Sequence, residues 1–269
     1  YWNNRDKLRE VAARQSATTH GAAEAVGACV AYAEILADAI AGEPRSFVLQ
    51  RRTTEGRAKT MAANVDTIVT VVPLADPPPR LLILDQLLAF AELESIEAVL
   101  LFTKPDLAQP GAAEALTAIY TALGYQTIVV NPKRGDNVDA LRAALEQRHA
   151  LLAGVSGAGK SSTFRALGGQ AVVGEVSRHG TGRQTTTAAR LLRTAGGFLI
   201  DSPGVAEFGL GAIAPNELAA GFREMRGPAA LCRFRDCTHL REPGCAVIAA
   251  RQAGAIAPTR YESYRHILS

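Results

Sequence analysis

The chain has 269 residues, is 48% hydrophobic, and sets 29 Lys+Arg against 26 Asp+Glu for a formal net charge of +3. That is enough apolar material for one large domain or two to three smaller ones, and it excludes a polycation, so any nucleic-acid contact must come from local basic clustering. No apolar run reaches the roughly 18 residues of a membrane span, no signal-peptide pattern opens the chain, and a start at Tyr1 rather than Met is expected to mean that the beginning lies outside this sequence.

Residues 1–57 are Ala-rich and mixed. Val26 to Ala39 is apolar without a period that separates helix from strand. Ser46 to Arg52 is expected to be a short strand ending in a basic pair. From Thr67 a βα rhythm begins: strand Thr67 to Val72, a loop at Pro77-Pro78-Pro79, helix Leu81 to Leu93, strand Ala98 to Phe102, and helix Ala112 to Leu123 closed by Gly124. Strand Tyr125 to Val130, helix Val138 to Gln147 and the buried strand Leu151-Leu152-Ala153 follow. Gly197 to Ile200 is a further strand ending on Asp201. Such alternation predicts an α/β fold with a mostly parallel sheet covered on both faces. After about residue 211, helix-like segments surround a cluster of cysteines. No internal repeat is visible.

Gly154-Val155-Ser156-Gly157-Ala158-Gly159-Lys160-Ser161 matches G-x-x-x-x-G-K-[ST] at every fixed position. Glycines there let successive N–H groups wrap around phosphate oxygens. Lys160 is expected to reach the β- and γ-phosphates, and the Ser161 hydroxyl to ligate Mg²⁺. The strand before the loop and the helix from Ser162 to Leu167 after it are the context the pattern requires, with the helix N-terminus favouring anionic phosphate. An accidental Gly-rich turn is the weaker reading.

Phosphate loops serve ATPases, kinases and GTPases alike, so the base must be read elsewhere. Thr103-Lys104-Pro105-Asp106 fits [NT]-K-x-D at the carboxyl end of a strand. The Asp106 carboxylate can accept from guanine N1–H and the N2 amine, a donor pair adenine lacks; in a partly buried pocket adenine would leave it unpaired. Lys104 would lie over the base. A helix cap or an exposed turn is the alternative for Asp106. Asp201-Ser202-Pro203-Gly204 fits D-x-P-G, with Asp201 holding Mg²⁺ through water and the Gly204 N–H sensing the γ-phosphate. Between them lies Gly182-Arg183-Gln184-Thr185-Thr186-Thr187, from which a threonine, assigned here to Thr186, can complete the Mg²⁺ shell.

The order of these motifs is rotated. Ordinary GTPases place [NT]KxD after D-x-x-G, whereas here it precedes the phosphate loop. Loops at the carboxyl ends of parallel strands keep their places if old termini are joined and the chain is cut elsewhere. The D-x-P-G loop then leads almost directly into the C-terminal region. There, Cys232-x4-Cys237-x-His239-x5-Cys245 offers three sulfurs and an imidazole, a closed Cys₃His set typical of structural Zn²⁺. Such a site is worth about 10–16 kcal/mol and can organise a segment too small for its own core. Clustered thiols also suit a reducing cytosol better than a disulfide framework. Cys29 is read as a lone core residue.

The rotated order, the string D-x-P-G-V-x-E-F-G-L at 201–210, C-R-F-x-D-C-x-H-x-x-E-P-G-C-A-V at 232–247 and Ala62-Ala63-Asn64-Val65-Asp66 together resemble the bacterial ribosome small-subunit-dependent GTPase A family, RsgA or YjeQ. The similarity runs from about residue 45 to 269. It implies an OB-like N-terminal region (1–57, short for a whole barrel), a circularly permuted GTPase domain (58–211) and a C-terminal zinc-binding domain (212–269). It further implies a cytoplasmic, monomeric GTPase that binds GTP/GDP, the 30S subunit and 16S rRNA, acts in late small-subunit maturation and is stimulated by the subunit. The nucleotide-binding set is then Thr103, Lys104, Asp106, Gly154 to Ser161 and Ser162. Lys160, Gly204 and Gln184 are the candidate catalytic residues.

Three departures stand out. Thr103 occupies a position usually held by Asn. Gln184 replaces a family histidine that is a candidate for positioning water, and glutamine can orient water but not act as a base. The N-terminal region is short. Val205 also follows the D-x-P-G where many small GTPases carry a water-orienting Gln, so slow intrinsic hydrolysis is expected. Arg51, Arg52, Arg57 and Lys59, and Arg233, Arg235, Arg241, Arg260 and Arg265, are candidate rRNA-phosphate contacts. Solvated charges or ion pairs with Glu242 and Glu262 are the equal alternative for any one of them. Two other functions remain open: a P-loop ATPase or kinase of small-molecule metabolism, and a GTP-gated rRNA-binding module with negligible hydrolysis.

Overall fold

The computed structural model describes residues 48–52, 58–63, 65–169, 190–201 and 215–268. β1 (Val48–Arg52) and β2 (Ala58–Ala63) form an antiparallel pair of their own. The main sheet contains β3 (Thr67–Pro73), β4 (Glu97–Thr103), β5 (Gln126–Val130), β6 (His149–Ala153), β7 (Arg190–Thr194) and β8 (Gly197–Asp201). Their spatial order is β5-β4-β3-β6-β8-β7. All neighbours run parallel except β7 with β8.

β3 is the middle of this arrangement because Thr67-Ile-Val-Thr-Val-Val-Pro73 is β-branched along most of its length and buried at every position. Val69 and Val71 face one core with Leu101, Leu152 and Phe164. Ile68 and Val72 face the other side, with Leu87, Leu88, Leu100 and Phe102. Helices α1 (Leu81–Leu93) and α2 (Ala112–Ala122) supply the second core, and α3 (Val138–Ala144) and α4 (Lys160–Ala166) the first. α1 is apolar nearly all round because two layers cover it. On one side it meets the sheet; on the other it meets the C-terminal segment, where a Cβ on Gly221 would lie 3.0 Å from that of Ala89.

Two expectations are corrected. The helix expected to reach Gln147 ends at Ala144, because only Leu145 to Arg148 remain to reverse the chain into β6. Gln147 takes a left-handed φ of 57° and donates its N–H to Ala195 O at 2.7 Å. β7 was not foreseen; its Arg-Leu-Leu-Arg-Thr lacks strand alternation, and it adds an antiparallel edge through the turn at Ala195-Gly196. The C-terminal segment holds α5 (Pro215–Leu218), a 3₁₀ turn (Ala219–Gly221), α6 (Arg223–Ala230), α7 (Ala246–Gln252) and α8 (Pro258–Leu268) around Phe222, Met225, Val247, Tyr261 and Tyr264. No helix among the described residues is long and apolar enough to cross a membrane.

Candidate functional site

The glycine-rich loop joins β6 to α4 at the carboxyl edge of the sheet. Gly154 has φ 144°, and a Cβ there would lie 2.3 Å from Val71 O, so only glycine lets the loop leave β6 this close to β3. Gly159 has φ 101° and passes the Thr103 side chain with its own Cβ position 3.4 Å from Thr103 Oγ1. Lys160 Nζ donates to Gly154 O and Val155 O at 2.8 and 2.9 Å, so the ammonium folds back across the loop. Burial lowers its pKa while the nearby Asp201 carboxylate works in the opposite direction. Burial pushes Asp201 up, against Lys160, Arg190 and a hydrogen bond from Ser161. Ser161 Oγ lies 3.5 Å from Asp201 Oδ2 at the end of β8. A hydroxyl and a carboxylate side by side form the hard oxygen set that Mg²⁺ prefers.

The loop after β4 carries Thr103, Lys104 and Asp106. Thr103 is fully buried and donates from Oγ1 to Ala158 O at 2.5 Å, tying this loop directly to the glycine-rich one. Lys104 takes a left-handed φ of 59° and donates through Nζ to Asp76 O in the loop between β3 and α1. The two loops that stand fifty residues apart in sequence thus share one edge, across β3. Asp106 departs from expectation: it is exposed rather than in a partly buried pocket. Its Oδ1 is instead held by Asn131 Nδ2 at 2.9 Å. Asn131, buried at the end of β5, fixes its own amide by accepting from the Lys133 and Arg134 N–H groups through Oδ1. The sequence reading missed it; the available signal was an Asn closing a β-branched strand in a parallel sheet, where ligand loops gather.

Of the remaining candidates, Gly154, Val155 and Ala158 are buried, Ser156 and Gly157 are exposed, and Ser162 is half-buried in the first turn of α4. Gln184, Thr186, Gly204 and Val205 lie outside the described residues, as do Asn64 and Cys29. Nothing is described of the side chains of Arg51, Arg52, Arg57 and Lys59.

Cys232, Cys237, His239 and Cys245 bring their ligand atoms within 4.8 Å of one another. Cys232 and Cys245 Sγ are 3.8 Å apart, and His239 Nδ1 is 3.5 and 3.4 Å from them. A tetrahedron built on Zn–S and Zn–N bonds has edges of about 3.8 and 3.6 Å, so the four groups fit a structural metal ion. Tyr261 Oη and Tyr264 Oη donate to the carbonyls of His239 and Thr238 at 2.7 and 2.8 Å and anchor the knuckle to α8. Glu242 accepts from the N–H groups of Thr238, Leu240 and Arg241. Burial opposes its charge, but a hydrogen bond from the Thr238 hydroxyl, with backbone N–H bonds including those of Arg241 and Thr238, outweighs it and holds the carboxyl down to about 2.

Arg260 was a candidate rRNA contact and is not one. It is 0% exposed, with Nη1 2.6 Å from Asp85 Oδ1 and Nε 2.7 Å from Glu224 Oε1. Arg233, Arg235 and Arg241 are exposed; Arg265 is half-exposed beside Glu262 at 3.1 Å.

The family model described as RsgA GTPase matches residues 42–211. The small ribosomal subunit biogenesis GTPase RsgA of Pseudomonas aeruginosa (strain LESB58) is 44% identical over 237 residues, covering 86% of this chain and 70% of that protein. The protein of the same name from Saccharophagus degradans is 40% identical over 241 residues, covering 85% and 70%. Among solved structures, YjeQ from Thermotoga maritima is similar with a TM-score of 0.64 at 31% identity, covering 82% of this chain and 81% of that one. YloQ, described as a circularly permuted GTPase, gives a TM-score of 0.63 at 25% identity, covering 83% and 78%. With the rotated loops meeting at one sheet edge, a permuted GTPase fold and a Cys₃His knuckle behind it, the chain belongs to the RsgA GTPase family.

Proposed function

We propose that this chain hydrolyses GTP in small-ribosomal-subunit biogenesis, binding the 30S subunit and its 16S rRNA late in maturation. The observation that supports the site most directly is the Thr103–Ala158 hydrogen bond, which holds the base-reading and phosphate loops together despite their rotated order. Asp106, with one oxygen anchored by Asn131, presents the other to the guanine N1–H and N2 amine, and Lys104 covers the base. Backbone N–H groups of 154–161 receive the phosphates, and Lys160 exchanges its two carbonyl partners for β- and γ-phosphate oxygens. An anionic ligand also offsets the burial that disfavours its charge.

Ser161 and Asp201, with Thr186, would hold Mg²⁺, which when bound neutralises charge on the phosphate oxygens. Cys232, Cys237, His239 and Cys245 would hold one structural Zn²⁺, which when bound fixes the fold of its segment. Gln184 orients the attacking water and the Gly204 N–H senses the γ-phosphate. With Val205 supplying no hydrogen-bonding group, intrinsic turnover is slow and the subunit accelerates it. Exposed Arg233, Arg235 and Arg241, with Arg265, face rRNA phosphates. The division into an N-terminal OB-like region, a GTPase domain and a zinc domain, a monomeric state and a cytoplasmic location belong to the same reading.

Hydrolysis of GTP and of ATP, each with and without purified 30S subunits, tests it. GTP preference with strong stimulation by the subunit is expected. ATP preference without subunit dependence would replace the reading with a metabolic ATPase or kinase. GTP binding without stimulated turnover would replace it with a nucleotide-gated binding module.

A further inference from the structure

Three arginines of the C-terminal segment reach into the GTPase fold, and all three land on the side that reads the base. Arg260 on α8 pairs with Asp85 in the second turn of α1, and its guanidinium lies 5.7 Å from the centre of the Tyr120 ring on α2. Tyr120 Oη in turn donates to Asp85 Oδ1 at 2.9 Å. Arg223 at the start of α6 pairs with Glu92 at 2.7 Å, donates through Nη1 to Leu123 O at 3.2 Å, and stacks over Tyr125 with its guanidinium 3.9 Å from the ring centre. Arg226 holds the other Glu92 oxygen at 2.6 Å.

The elements so gripped are those that position the guanine-reading groups. α1 begins directly after the loop whose Asp76 carbonyl accepts from Lys104. α2 follows the loop bearing Asp106. Tyr125 leads into β5, which ends at Asn131, the residue that holds Asp106. No ion pair among the described residues ties the C-terminal segment to α4 or the glycine-rich loop. The buried pair is also brittle: Arg260 and Asp85 are both 0% exposed, so any shift of α8 against α1 strands a charge.

We propose that the C-terminal segment is a clamp on the base-reading half of the nucleotide site, with Arg223, Arg226 and Arg260 acting as positioning residues that set how long guanine nucleotide stays bound. The proposal rests on the guanine reading of the site. It describes a contact route separate from the covalent path out of the D-x-P-G motif. Because it acts through the base, it treats GDP and GTP alike. By linkage, bound GDP must tighten metal binding at the knuckle by the factor by which bound metal tightens GDP.

The test uses the full chain, metal-loaded, with Arg223→Ala, Arg226→Ala and Glu92→Gln combined, which removes both partly exposed arginines and neutralises the largely buried Glu92, so that no buried charge is left alone. Dissociation of fluorescent N-methylanthraniloyl-GDP and -GTP is measured by stopped flow, with metal content checked at one ion per chain. Both rates are expected to rise about fivefold or more, by the same factor. On the unsubstituted chain, GDP is expected to raise the knuckle's zinc affinity, read at equilibrium against a competing chelating dye, by the factor by which zinc tightens GDP, which tests the clamp even where the variant does not fold. Unchanged rates in the folded variant, an effect on GTP alone, or a zinc affinity indifferent to GDP would overturn the clamp. Absence of any guanine-nucleotide binding by the unsubstituted chain would instead overturn the guanine reading itself.

Discussion

On the sheet side of the molecule, burial is apolar and continuous. Val69, Val71, Leu101 and Leu152 fill one face and Ile68, Val72, Leu100 and Phe102 the other, and no single side chain dominates. The C-terminal segment has a smaller apolar cluster, which two of its own cysteines help to fill. It is joined to the fold through a buried arginine and organised internally by a Cys₃His knuckle. A buried Leu or Val contributes about 1.5–3 kcal/mol, so the sheet spreads its stability over many small terms. The C-terminal segment concentrates its own in a few polar groups whose loss costs more. A parallel sheet can therefore carry a site made mostly of backbone and glycine, whereas the smaller segment depends on particular side chains.

Metal removal is the sharpest way to break this contrast. With about 10–16 kcal/mol in such a site, chelation or Cys237→Ser is expected to expose 215–268 to limited proteolysis while the sheet core of 65–169 survives. Protection of both regions after chelation would mean that the apolar cluster suffices alone. Next in size is Arg260→Met, which leaves Asp85 and Glu224 buried without their partner. The unfolding free energy in denaturant should fall by about 3–5 kcal/mol, and adding Asp85→Asn, which can still accept from Tyr120 Oη, and Glu224→Gln should recover most of it. If the charge-free triple is no better than the single change, packing and not charge explains the loss.

A smaller effect is expected on the sheet side. Asn131→Ala frees one Asp106 oxygen and should weaken GTP binding by about 1 kcal/mol, roughly fivefold, with ATP binding unchanged in titration calorimetry. An equal loss for both nucleotides would assign Asn131 to the loop and not to the base. The smallest expected effect is Arg265→Ala, which removes an exposed pair with Glu262. Its melting curve should stay within about 0.5 kcal/mol of the parent.

Much of the candidate nucleotide site was legible as sequence strings because its residues are local. Gly154 to Ser161 and Thr103 to Asp106 are contiguous strings whose residue types follow from what phosphate and guanine require, and the cysteine spacing carries its own ligand set. The same locality made α1 readable, since a thirteen-residue apolar run between a proline turn and a strand has few other fates. β7 was not legible, because an edge strand is selected by its partner β8 and not by its own alternation. Arg260 was placed at the surface for a related reason: its charge suggested RNA, solvent or a pair with Glu242 or Glu262, and only the approach of α8 to α1, across 175 residues of chain, makes Asp85 its partner. Asn131 belongs with it, since an amide 25 residues from Asp106 becomes part of the site only when β4 and β5 lie side by side.

The sequence by itself therefore determined the residue string of each candidate loop, the rotated order in which the loops occur, and the three Cys and one His of the knuckle. The tertiary structure decided which loops meet, which carboxylate is braced, and which arginines are buried struts instead of surface charges. The reason is physical: residue type and spacing set what a short segment can bind, but partnership between distant charges and strand edges depends on distances that only the packed chain establishes.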